Sequence, residues 1–363
     1  MEKKAFMVNM IQSELEDAVG VDNVSMDPAE MFTYGVDYFW ISRMWVDKGL
    51  EPPKPEFIVR PKDAKEVSKV LKIANYYKLP VHTWGGGSGS QGSALPMTGG
   101  IILDVKRMNR ILDYSEVSRT ITAESGAIFQ HVEWYANERG YSIMHIPSCL
   151  TCGTVGGALA HRGIGIMSTK YGKIDDQCIS LEVVLPNGDI INTLPVPKHA
   201  AGPDLQQIFI GSEGTLGVIT KAVFKLVEIP ECRKFRAFLF KDFSDGLAAC
   251  REIVQKIKPS IIRLFDEAET VSIIKKVIGI DSEDMKKVQL LANVGIMQGA
   301  DSLSRMIGKR VDIAIPEVRM LPIEKIPASL GKVDDVMPGF ICLSPEMFTV
   351  PFFSVCRMIQ YVR

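Results

Sequence analysis

Three glycine-bearing segments present main-chain amides where side chains would otherwise stand: GGGSGSQG at Gly85 to Gly92, CGTVGGALA from Cys152, and GSEGTLGVIT from Gly211. In the first, Gly85, Gly86, Gly87 and Gly89 lack a Cβ, while Ser88 and Ser90 add hydroxyl donors. Successive N–H groups there can line one concavity and meet phosphate oxygens closely. Such a nest suits a diphosphate. Three segments of this kind, each beside a strand-like run, imply one extended ligand touched at several points, and a dinucleotide cofactor has that length.

Gly87, Gly89 and Gly92 also spell GxGxxG. That spacing serves a Rossmann fold only when the last glycine opens a helix whose N-terminus faces the pyrophosphate. Here SALPMTGG follows, and Pro96, Gly99 and Gly100 forbid the helix. A Walker loop is excluded too, because no lysine follows the glycines. What remains is a phosphate-binding loop slung between strands.

The elements that must carry these loops are legible around them. Asp63 and Glu66 have capping-box spacing, and Val67, Val70, Leu71 and Ala74 share one helical face, so a helix is predicted to about Tyr77 with Pro80 ending the stretch. VHTW at Val81 to Trp84 is a strand leading into the first loop, and IILDV at Ile101 to Val105 is the next. A second helix is predicted from Ile128 to Arg139, with Val132, Tyr135 and Ala136 inward and Gly140 as its stop. ISLEVVL and DIINTL flank Asn187 and Gly188, a type I′ hairpin signal that makes the sheet a mixed one. From Gly217 the alternation of Val218, Thr220, Ala222, Phe224 and Leu226 predicts a half-buried strand.

The chain has 363 residues, enough for more than one core. The texture changes at Pro230 to Arg233, which divides an N-terminal helical and extended segment (1–56), a cofactor domain (57–230) and a second, α+β domain (231–363). Phe243 to Ile257 is predicted helical. The tail from Pro338 to Arg363 is apolar and broken by Pro345 and Pro351; it is either a packed terminus or a docking surface for another subunit, identical or different. Lys and Arg total 42 against 43 Asp and Glu, a net charge of -1, which gives no electrostatic reason to expect nucleic acid or an anionic membrane as partner. No apolar run reaches membrane-span length and the first residues acquire acids too early for a secretory signal, so a cytoplasmic location is expected. The seven cysteines are scattered, so no disulfide framework is expected. Cys149 and Cys152 form a CxxC with His145 upstream, but zinc needs a fourth ligand and no second pair exists, so no metal is expected.

The ordered series FIVRPKDAKEVSKVLKIAN, GGGSGSQG, ILDVKRMNRIL, PSCLTCGTVGG, KYGKIDDQ, LEVVLPNGDI and GPDLQQIFIGSEGTLGVIT resembles the FAD-binding domain of the vanillyl-alcohol oxidase and p-cresol methylhydroxylase (PCMH) superfamily. The likeness is to the branch of the glycolate oxidase D subunit, D-lactate dehydrogenase and alkyldihydroxyacetonephosphate synthase, and runs from Phe57 to Phe265. It implies an α+β fold: a PCMH-type FAD-binding domain of two α/β subdomains, then a shortened α+β cap domain. It implies that Gly85, Gly86, Gly87, Ser88, Gly89 and Ser90 hold the FAD pyrophosphate. Ser148, Cys149, Leu150, Thr151, Cys152, Gly153 and Thr154, with Gly157, would pass along the cofactor towards the flavin, and His161, Arg162, Gly163 and Ile164 would touch it again. Glu213, Gly214, Thr215, Leu216, Gly217, Val218 and Ile219 would take the adenine and ribose side, with Glu213 capping loop amides and Val218 and Ile219 offering backbone groups to the base. Cys152 resembles a position of cysteinyl flavin attachment in some relatives, but the companion His in the first loop is missing, so non-covalent FAD is expected.

The same resemblance implies oxidation of a small 2-hydroxy acid such as glycolate or D-lactate, with hydride delivered to flavin N5. Arg162 and Lys198 are the cations offered for the substrate carboxylate; His161 and His199 are weaker choices. No cysteine series for an iron–sulfur cluster is present, so electrons would leave by oxygen, a quinone or an electron-acceptor protein. All five histidines lie at or before His199, whereas full-length relatives return histidines near their C-terminus. Two alternatives stay open: an alkyl-ether lipid synthase-like flavin transferase, and a truncated FAD-binding electron-relay subunit.

Overall fold

A computed structural model describes residues 2–239, 242–266 and 337–343. The chain divides into two compact units: Met1–Gly165 with Tyr171–Ile229, and Ile166–Lys170 with the chain from Pro230.

In the first unit, α1 (Glu2–Val19), β1 (Val24–Ser25), α2 (Pro28–Tyr34), α3 (Trp40–Asp47), β2 (Phe57–Val59), α4 (Ala64–Tyr77), β3 (Val81–Trp84) and β4 (Ile101–Asp104) follow in order. They build a four-stranded sheet, β1-β2-β4-β3, in which β2 and β3 both run parallel to β4 and β1 is antiparallel to β2. Phe57, Val59, Ile101 and Leu103 pack with Leu15 and Val19 of α1 and Val67, Val70 and Leu71 of α4. Ile58, Ile102 and Trp84 turn the other way, against Tyr34 of α2. Both faces are covered, so β2 and β4 read as unbroken apolar runs rather than alternating ones.

Helix α4 starts where Asp63 accepts a hydrogen bond from the Glu66 N–H at 2.9 Å. The returning arm differs from a capping box, since the Glu66 carboxylate accepts from Lys62 N–H instead of Asp63. The helix ends at Lys78, in the left-handed region at φ 59, with the Leu79 N–H reaching back to the Ala74 carbonyl. Strand β3 follows at once and delivers the chain into residues 85–100. These return to the parallel strand β4 with no regular element between, as the prolines and glycines require.

The second sheet holds β5 (Ile111–Ser115), β6 (Thr120–Glu124), β8 (Cys178–Val184), β9 (Ile190–Asn192) and β10 (Val218–Lys225) in the order β5-β6-β10-β8-β9, antiparallel throughout. The single mixed sheet expected from the hairpin is therefore two sheets: the hairpin strands join β10, not the parallel strands. Helices α5 (Phe129–Asn137) and α6 (Val155–Ala160) belong to this half, and β7 (Tyr141–Ser142) pairs with β11 (Val227–Glu228). Strand β10 is central, and Val218, Thr220, Ala222 and Phe224 are buried as their alternation predicts.

The hairpin between β8 and β9 is present, but its turn is not type I′. Only Gly188 has positive φ (88°), its N–H bonds to the Leu185 carbonyl at 2.8 Å, and the Leu185 N–H bonds to the Asp189 carbonyl. A type I turn followed by a left-handed glycine results. Pro186 decides this, because its fixed φ suits the second position of a type I turn and it has no N–H to pair across a two-residue loop.

Helix α5 falls one residue inside the expected start and two inside the expected end. Its Glu133 is buried and accepts hydrogen bonds from the Ser142 hydroxyl and the Ile143 N–H. Burial pushes this carboxyl above its usual range.

The second unit contains β12 (Arg233–Leu239), a helix over Phe243–Ile257 capped by Asp242, β13 (Ile261–Phe265) and β14 (Met337–Leu343), with β14 parallel to both its neighbours. Residues 344–363 of the apolar tail, with Pro345 and Pro351, lie outside the described residues, as does most of the cap domain expected to be shortened.

Candidate cofactor-binding site

The three glycine segments meet. At the end of β3, a Cβ on Gly85 would overlap the Thr154 hydroxyl, and one on Gly86 would overlap the Cys152 carbonyl oxygen. The first segment thus lies directly on the second. Gly87 (φ 59) holds the Tyr38 N–H with its carbonyl at 2.8 Å, and a Cβ there would strike the Trp84 ring. At Gly89 the space is open, with only Ser93 Oγ at 4.0 Å. Among the described residues, none of the backbone N–H groups of residues 86–92 donates a hydrogen bond. A run of unpaired donors is a fit for a polyanion with many acceptor oxygens.

The second segment is held from within. The Cys149 carbonyl accepts from the N–H groups of Cys152 (3.0 Å) and Gly153 (2.6 Å), the Leu150 carbonyl from Gln130 and the Gly153 carbonyl from Phe129. Thr154 then caps α6, its Oγ1 accepting from Gly157 N–H at 3.2 Å. Leu150 is buried and Cys149 half-buried, whereas Ser148, Thr151 and Cys152 are exposed. Partial burial first, and then the neighbouring Cys149, raise the Cys152 thiol above its usual range.

The third segment docks on the end of α6, with Gly211 N–H on the Leu159 carbonyl and Glu213 N–H on the Ala160 carbonyl, both 3.0 Å. Gly214 lies against Thr83 of β3, the strand that opens the first segment. A cavity of about 230 Å³ opens here, walled by Leu71, Ala74, Leu79 and Val81 on one side and by Gly214 and Thr215 on the other. Apolar walls facing loop backbone suit a purine ring. Leu216 is exposed; Val218 and Ile219 are buried and sit in the β8 ladder opposite Val184 and Val183.

Among the described residues no loop amide donates to the Glu213 carboxylate, so the capping expected of it is not what it does. Its backbone is left-handed (φ 52), and the carboxylate crosses to two side chains, Oε1 to His161 Nδ1 at 2.7 Å and Oε2 accepting from the Ser93 hydroxyl at 2.8 Å.

Arg162 follows α6 with φ 51 and reaches under the third segment. Its Nε and Nη2 donate to the Ile210 carbonyl, Nη2 also to the carbonyl and Oε1 of Gln207, and Nη1 to Asp175 at 3.3 Å. Every guanidinium nitrogen is engaged. Gly163 bonds back to α6 and Ile164 is exposed. Lys198 is exposed, and no hydrogen bond or ion pair ties it to the three segments among the described residues; His199 pairs with Asp204.

His145 is a residue the sequence suggested only as a third zinc ligand. It is fully buried, edge-on to Phe129 at 5.1 Å between ring centroids, with Gly163 and Gly165 closing over its ring. Neither ring nitrogen has a hydrogen-bond partner among the described residues. Burial alone lowers its pKa to about 4, so the imidazole is neutral at physiological pH.

Residues 55–194 match the family described as FAD binding domain. Alkyldihydroxyacetonephosphate synthase from Caenorhabditis elegans is 34% identical over 230 residues, 62% of this chain and 38% of that protein. Glycolate oxidase subunit GlcD from Bacillus subtilis is 34% identical over 215 residues, 59% of this chain and 46% of that protein. A solved structure of alkyldihydroxyacetonephosphate synthase superposes with a TM-score of 0.62 at 27% identity, covering 70% of this chain and 47% of that one. The chain thus spans less than half the length of each. The PCMH-type α+β architecture expected from the motifs is the one these likenesses share, and among the described residues no helix is long and apolar enough to cross a membrane.

Proposed function

We propose, for a chain that carries an FAD binding domain, that it is an FAD-dependent oxidoreductase acting on a small 2-hydroxy acid such as glycolate or D-lactate. The observation that carries this reading is the meeting of three glycine segments around a run of unpaired amides, residues 86–92. Those amides would hold the diphosphate, the cavity beside Gly214 and Thr215 the adenine, and the Ser148–Thr154 turn with His161 to Ile164 the flavin side. Bound there, FAD supplies an acceptor for the hydride on the substrate α-carbon. The chain supplies position, and for the substrate carboxylate Lys198 is the freer of the two cations, because Arg162 is committed to Ile210, Gln207 and Asp175. Reoxidation would fall to a quinone or an electron-acceptor protein.

The test is anaerobic addition of glycolate or D-lactate to the FAD-loaded protein. Loss of the oxidised flavin absorbance supports the reading, and an unchanged spectrum with every hydroxy acid tried removes this substrate class.

A second reading, a flavin transferase akin to alkyl-ether lipid synthases, is favoured by the match of STKYGKIDD and GPDLQQIFIGSEGTLGVIT to that branch and by the 34% identity to the nematode synthase. Turnover of an acyl-dihydroxyacetone phosphate with a fatty alcohol, without net flavin reduction, would decide for it. If turnover requires a copurifying partner, the electron-relay reading replaces both.

A further inference from the structure

We propose that Glu213 is a positioning residue that clasps the cofactor cradle shut, fixing the far end of the diphosphate loop through Ser93; this rests on the FAD reading above. The stretch 86–92 is anchored at its entrance, where Gly85 and Gly86 lie on Thr154 and Cys152 and the Gly87 carbonyl accepts from Tyr38. Its exit has a different anchor. Ser93, the residue directly after the stretch, donates its hydroxyl to Glu213 Oε2 at 2.8 Å, and Glu213 Oε1 meets His161 Nδ1 at 2.7 Å. One carboxylate therefore links the first segment, the residue after α6 and the third segment.

The backbone does not need this carboxylate to place the third segment. The bonds from Gly211 and Glu213 N–H to Leu159 and Ala160 already dock it on α6, and β10 begins only at Val218. Glu213, His161 and Ser93 all lie outside the buried core. The carboxylate adds a tie across the mouth, and a loop held at both ends loses less freedom when it closes on a ligand. Glu213 also adopts a left-handed backbone, uncommon for a residue with a Cβ, as residues at ligand clamps do.

The experiment compares FAD affinity and apoprotein melting temperature for wild type, Glu213→Ala, Glu213→Gln, Ser93→Ala and the Ser93→Ala/Glu213→Ala double variant, with flavin fluorescence quenching as the affinity readout. Glu213→Ala is expected to weaken FAD binding by about 10- to 100-fold while the apoprotein melts as wild type does. Glu213→Gln keeps an acceptor for Ser93 and a donor for His161, and should restore most of the affinity. Ser93→Ala should weaken binding alone and add little to Glu213→Ala, because both remove the same tie. Unchanged affinity in Glu213→Ala, or losses that simply add, would overturn the clasp while leaving the FAD reading intact. A wild type that binds no FAD overturns both. Should Glu213→Ala fail to fold, Ser93→Ala decides, and wild-type affinity in that variant overturns the clasp.

Discussion

Gly86 lies so close to Cys152 that a Cβ on the glycine would overlap the cysteine carbonyl oxygen. The glycine is required there by the approach of two backbones, whereas at Gly89, three residues on, a Cβ would meet only Ser93 Oγ at 4.0 Å. The two glycines of one motif thus do different work.

Substitution separates them. Gly86→Ala forces backbone against backbone and is expected to destabilise the fold by about 1–3 kcal/mol and to reduce FAD affinity at least about tenfold. Gly89→Ala should stay within about 0.5 kcal/mol of wild type in stability. Thermal melts and FAD titration of the two variants measure this directly.

Arg162 and Lys198 should also part company. Arg162→Met removes the donors that hold the Ile210 and Gln207 carbonyls and leaves Asp175 without its cation. With the side chain about one-third exposed, the expected loss is about 1–2 kcal/mol, with weaker FAD binding. Lys198→Ala should leave the melting temperature unchanged and raise KM for a hydroxy acid without changing FAD affinity. An Arg162 variant with native stability and a raised KM would reverse these assignments.

His145 gives the protein an acid-sensitive stability. Its folded pKa, about 4, lies below the ordinary histidine value of 6.5, so between those limits the unfolded chain binds the proton more tightly. Stability from this residue is complete above pH 6.5 and is lost as pH falls towards 4. At pH 5 the loss is about 2 kcal/mol. His145→Leu replaces an unpartnered ring and should flatten that limb, seen as a smaller difference between urea unfolding at pH 7 and pH 5. Equal slopes in wild type and variant would contradict the buried neutral imidazole.

Much of this frame was legible where the determinants are local. Asp63 with the Val67, Val70, Leu71 and Ala74 face marked α4, Phe243 to Ile257 marked the helix of the second unit, and the alternation after Gly217 marked the central strand β10. The helix-forbidding run from Pro96 to Gly100 correctly separated the first loop from a Rossmann turn. What was not legible depends on partners far along the chain. Nothing local to the β8–β9 hairpin says which sheet it joins, so two sheets read as one. The neighbours of Gly85 and Gly86 lie more than 60 residues away in sequence, so their missing Cβ atoms read as room for phosphate alone. Arg162 read as a free cation because its acceptors are mostly backbone carbonyls, which leave no mark in a sequence. His145 carried no signal beyond its place before a CxxC, since its burial comes from Phe129 and the glycines at 163 and 165.

Amide hydrogen exchange of the apoprotein with and without FAD tests the shared grip of the three segments on one cofactor. Three segments gripping one cofactor predict slowed exchange together at residues 86–92, around 148–157 and at 213–217, saturating at one FAD per chain. Protection confined to one of them, or no change anywhere with FAD present, would contradict it.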